Sequence, residues 1–61
     1  MITYIHVRSK KDLYEFAVKH TDDGHQVLFV NFYEEGYTRP RELPFDKVPH
    51  QVIEELLEKL P

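Results

Sequence analysis

Within six residues, His20-Thr21-Asp22-Asp23-Gly24-His25 gathers two imidazoles and two carboxylates, the donor types that hold zinc and other divalent ions. The same run also has the composition of a helix exit, where Asp and Gly do turn chemistry and a protonated histidine complements the helix dipole. We read it structurally and assign no metal ligand. A second cluster, Arg8-Ser9-Lys10-Lys11, falls where a first strand hands over to a helix. Ligands of open α/β sheets bind at such carboxyl ends, and a helix N-terminus ringed by cations suits an anion. Arg8, Lys10 and Lys11 are therefore a candidate anion site, although no glycine-rich loop is present to bring backbone amides close to a phosphate. His6 and His50 have no evident partner in the sequence.

Catalytic chemistry finds little support. The chain has no cysteine, which excludes a thiol nucleophile and thiolate metal sites alike. Ser9 is the sole serine and is accounted for as an N-cap, its hydroxyl accepting from an amide in the first helical turn. No nucleophile, base and orienting group are coupled as covalent catalysis requires. The expectation is a protein without catalytic residues and without a cofactor.

The elements that would position these groups follow from periodicity. Residues 2–8 alternate and are rich in β-branched and aromatic types, which reads as a strand. From Lys10, the apolar positions Leu13, Phe16, Ala17 and His20 have helical spacing, and Gly24 suits the left-handed exit. Gln26 to Tyr33 is a second strand, apolar on both alternating sets, which places it centrally. Glu34-Glu35-Gly36 reads as a hairpin turn, and Tyr37 to Glu42 as an antiparallel third strand held to an edge by Pro40. Leu43 to Asp46 connects to a second helix, with Pro49 in its first turn. Val52, Ile53, Leu56, Leu57 and Leu60 form its apolar stripe. The predicted fold is thus a single α/β (α+β) domain over 1–61, of order β-α-β-β-α. A right-handed crossover sets the first two strands parallel, giving a three-stranded mixed sheet of order 1-2-3 with two helices packed on one face. Ile5, Val7, Leu28, Val30 and Phe32 are its expected core.

That arrangement leaves a second sheet face carrying Tyr4, His6, Val27, Phe29, Asn31 and Tyr33. Monomers rarely expose a large contiguous apolar patch, so three arrangements compete. The second helix crosses this face, or two copies pair through it or through the edge strand, or it recognises another protein or a single strand of nucleic acid. The last has a physical basis, since aromatic rings on an open sheet stack unpaired bases. Against it stand the net charge of −3 and the lack of the aromatic–glycine motif of RNA-recognition domains. The leading expectation is a small interaction module, homodimeric or docking another protein, of the accessory or inhibitor type found in bacteria and their phages. Its expected contacts are Tyr4, His6, Phe29 and Tyr33, with Arg39 and Arg41 as a charged rim.

Length and composition agree. At 61 residues a domain buries only about 60% of its unfolded surface, and self-association is a stabiliser still open to it. The N-terminus lacks the basic start and apolar run of a signal peptide, and no stretch approaches the ~20 apolar residues of a membrane span. Together with the absence of cysteine, these features predict a cytoplasmic location. Residues 30–43, Val30-Asn31-Phe32-Tyr33-Glu34-Glu35-Gly36-Tyr37-Thr38-Arg39-Pro40-Arg41-Glu42-Leu43, look like the strand and active-site stretch of the thioredoxin family. The positions that would hold the two redox cysteines are Tyr37 and Pro40, so the resemblance carries no redox function across.

Overall fold

The backbone between Asp12 and Thr21 is a strand, and this decides the architecture. The computed structural model describes every residue of the chain except Tyr37. Four strands, β1 (Ile2–Ser9), β2 (Asp12–Thr21), β3 (Gly24–Tyr33) and β4 (Arg41–Glu42), form one antiparallel sheet in chain order. A short 3-10 turn at Phe45–Lys47 leads to the one α-helix among the described residues, α1 (His50–Lys59). The expected β-α-β-β-α order, with two helices on a three-stranded mixed sheet, is therefore corrected to a meander under a single helix.

The physical reason lies in two overlapping periods. Leu13, Phe16, Ala17 and His20 fit a helix, but Tyr14, Phe16 and Val18 also alternate with Glu15, Ala17 and Lys19. Aromatic and β-branched residues fit a pleated surface, and the neighbouring strands supply partners for every position of the alternation. Ser9 does not cap a helix; it pairs with Asp12 to close a hairpin over Lys10 and Lys11. Lys10 sits in the left-handed region with φ 56°, a conformation that costs an L-residue roughly 1–2 kcal/mol and that tight hairpins normally give to Asn or Gly. The second hairpin closes with Thr21 against Gly24. Here Gly24 holds φ 130°, and the Thr21 hydroxyl donates to its carbonyl at 3.1 Å. The third expected strand, Tyr37 to Glu42, shrinks to Arg41–Glu42. Tyr37 lies outside the described residues, and Pro40 has no amide to lend to a ladder.

One sheet face is the core. Ile5 and Val7 of β1, Tyr14, Phe16 and Val18 of β2, and Val30 of β3 are buried beneath Val52 and Leu56 of α1, with Val48 at its entry. The stripe on α1 runs as its spacing predicts, except that Leu57 stays 60% exposed. A bulge interrupts β3: Ala17 pairs with Phe29 and Val18 with Val27, so Leu28 is an extra residue. An inserted residue flips the side chains beyond it to the other face. Val27, expected on the open face, therefore packs against the core, whereas Leu28, expected in the core, is 42% exposed.

The His20 amide donates to the Met1 carbonyl, and antiparallel pairs alternate. The odd-numbered backbone groups of β1 therefore face β2, and the even-numbered ones face the free edge. Lys59 reaches round from α1 and donates to the His6 carbonyl at 2.9 Å, placing a charged side chain on that edge. Such a guard discourages strand addition.

Candidate functional site

The helix and the core take one face of the sheet, and among the described residues no element covers the other. Cross-strand registry arranges that open face in rows. The middle row is Tyr4–Ala17–Phe29. Its two rings stand 6.4 Å apart, tilted at 53°, and close over Ala17, which is fully buried. Their outer surfaces stay in solvent, with Tyr4 55% and Phe29 36% exposed. Exposed Ile2 and Leu28 flank the same end of the sheet.

The next row is polar: His6, Glu15, Asn31 and Glu42. Glu15 takes His6 Nε2 on one carboxylate oxygen at 2.9 Å and accepts from the Asn31 amide on the other at 3.2 Å. A histidine held by a carboxylate is half of a general-base arrangement, yet no serine or threonine hydroxyl hydrogen-bonds His6 among the described residues. On the far side of the aromatic row lie Ile2, Lys19 and Gln26. Beyond the polar row, Arg8, Leu13 and Tyr33 border a shallow cavity of about 310 Å³ that Lys11, Glu34 and Glu35 also line.

The structure brings Tyr4, His6, Phe29 and Tyr33 together on this face, along with Asn31. It does not bring Arg39 or Arg41 to them. Arg41 pairs with Phe32, so it belongs to the opposite face, with its guanidinium 5.4 Å from the centre of the Phe32 ring. Arg39 lies in the exposed connector before β4. The candidate anion site also loses its basis, because Arg8, Lys10 and Lys11 adjoin a hairpin and not a helix N-terminus. Acidic groups answer them: Lys11 meets Glu35 at 3.8 Å, and the Glu35 amide donates to Asp12 at 3.3 Å. Glu15, Ala17 and Lys19 were hidden by the helical reading of residues 10–20, although their alternation with Tyr14, Phe16 and Val18 was the signal that could have placed them.

The histidine-rich run becomes the β2–β3 hairpin end. His20 and His25 pair across the strands, with Nδ1 to Nδ1 at 2.8 Å, and His20 Nε2 lies 2.9 Å from the Thr3 hydroxyl. One of the two Nδ1 atoms must carry the proton and the other accept it. Asp22 and Asp23 form the turn, and no group of three or more potential ligands assembles among the described residues.

Tyr14 has its phenol pushed above the ordinary 10.0, first by burial and then by the charge of Asp12. Displaced pKa values cluster at functional sites, but this one belongs to the core, where the ring lies 5.1 Å from that of Phe32. The unfolded chain ionises first, so stability is complete below pH 10 and falls as pH rises from there toward the folded value. Tyr14→Phe should flatten that alkaline loss while changing stability at pH 7 by less than about 1 kcal/mol. Urea titrations at pH 7 and above pH 10 check it, and an equal alkaline loss in both proteins counts against the assignment.

Compared with protein-family models, with curated proteins and with solved structures, the chain matches none.

Proposed function

We propose that this chain is a non-catalytic docking module that binds another protein chain across the open sheet face, centred on Tyr4 and Phe29. The observation that carries this reading is the row Tyr4–Ala17–Phe29, two large aromatic side chains set 6.4 Å apart on a sheet and left with their outer surfaces in water. Aromatic anchors near the centre of a patch are what protein interfaces use, and the row His6–Glu15–Asn31 on one side, with Lys19 and Gln26 on the other, supplies a hydrogen-bonding rim. A single nucleic-acid strand could stack on the same rings. Its phosphates would then run past Glu15 and Glu42, on a chain of net charge −3. Charge favours a protein partner. No helix among the described residues is long and apolar enough to cross a membrane, and a cysteine-free module of the accessory or inhibitor kind fits work in the cytoplasm.

Phe29 is outside the buried core cluster, so Phe29→Glu should leave the fold intact and remove the docking. In a native extract, the wild-type protein is expected to elute well above the 7.4 kDa of the chain, and the variant to elute as the free chain. A heavy form that survives Phe29→Glu, or a wild-type protein that is free in the extract, overturns the reading.

A further inference from the structure

We infer that the partner is a second copy of this chain, docked face to face about a two-fold axis that runs along the row Tyr4–Ala17–Phe29. The inference rests on the docking role proposed above and names its occupant. The argument is self-complementarity, which an interface between two identical patches demands.

Rotation about an axis along that row keeps each strand over itself and reverses its direction. Tyr4 then lies over Tyr4 of the second copy, Ala17 over Ala17 and Phe29 over Phe29. The rows on either side exchange places. On β2 the open-face sequence is Glu15, Ala17, Lys19, so Glu15 meets Lys19 of the second copy and Lys19 meets its Glu15. On β3 the residues flanking Phe29 are Asn31 on one side and, counting across the Leu28 bulge, Gln26 on the other. Two side-chain amides therefore face each other, each able to donate and accept. On β1 the same rotation lays His6 over Ile2 of the second copy, so the charge pairing rests on β2.

The competing axis, along β2, keeps each row over itself. It would set Glu15 on Glu15 and Lys19 on Lys19, and like charges face to face cost affinity. Pairing through the β1 edge meets Lys59, already seated on the His6 carbonyl. Charge selects the first arrangement, in which the two sheets stack as aligned layers.

The test uses the purified chain at low salt, with mass followed by light scattering over a wide concentration range. Wild type is expected to reach twice the mass of the chain. Glu15→Lys and Lys19→Glu should each weaken the dimer by about tenfold or more, because each leaves like charges opposed. An equimolar mixture of the two variants should regain the dimer, since each copy then presents the complement of the other. Lys19 is exposed, so Lys19→Glu reports on the interface even if Glu15→Lys disturbs the contacts of Glu15 with His6 and Asn31. A mixture no more associated than its separate components overturns the inference. A wild-type chain that stays monomeric while the extract still holds a complex sensitive to Phe29→Glu also overturns it, and leaves the docking role itself standing.

Discussion

Phe16→Ala is expected to leave the chain largely unfolded at 25 °C. Phe16 is fully buried and heads the largest of the buried side chains. It sits at the middle of β2 with Ile5 on one side and Val30 on the other, both buried, and the cluster beneath α1 closes around it. Removing a buried phenylalanine ring costs about 3–5 kcal/mol, the lost transfer energy plus the cavity left behind. A single core of this size rarely supplies more than roughly 3–5 kcal/mol of net stability. The two quantities are equal in scale, so the folded population should fall to a minority. Far-UV circular dichroism with urea titration reads the result. A cooperative transition within 1 kcal/mol of wild type would mean that β2 does not lie at the centre of the sheet.

That central position is the part of the fold that sequence reasoning places elsewhere, and the reason is local. Hairpins usually declare themselves by Asn-Gly or Asp-Gly, whereas the β1–β2 turn uses Lys10 in a strained conformation and Lys11. With no turn signal after Ser9, a helical spacing from Leu13 to His20 competes on equal terms with an alternation from Tyr14 to Val18. β1 and α1 are legible because their patterns admit a single period, and β3 because a short run rich in β-branched and aromatic residues lies between turn residues. Most of the open face is legible because alternation along β1 and β3 orients Tyr4, His6, Phe29, Asn31 and Tyr33 whatever lies between the two strands. Its middle column, Glu15, Ala17 and Lys19, was lost with the helix. The exchange of Val27 and Leu28 was not legible either, because the bulge is a feature of pairing between strands and leaves no mark on the composition of one strand. Arg41 was displaced by the brevity of β4, whose two residues set Glu42 on the open face and Arg41 over Phe32.

Two adjacent leucines on α1 should behave as differently as any pair in the chain. Leu56 is 2% exposed and Leu57 is 60% exposed, although both belong to the apolar spacing that predicts the helix. Leu56→Ala removes a side chain from the cluster shared with Val52, Val7 and Phe16 and should cost about 2–5 kcal/mol. Leu57→Ala removes one already in water and should stay within about 0.5 kcal/mol. Both substitutions bring the same gain in helix propensity, so the difference between them isolates packing. Thermal or urea unfolding of the two variants measures it, and comparable costs would show that α1 presents another side to the sheet. The outcome bears on function as well as stability. Val52 and Leu56 commit α1 to the face that holds Phe16, and only that commitment leaves Tyr4 and Phe29 uncovered. A helix rotated or shifted across the sheet would cover the aromatic row and remove the surface on which docking depends. Leu57→Ala should therefore preserve association, whereas the remaining folded fraction of Leu56→Ala should dock with unchanged affinity per folded molecule, because its loss is one of stability and not of the open face.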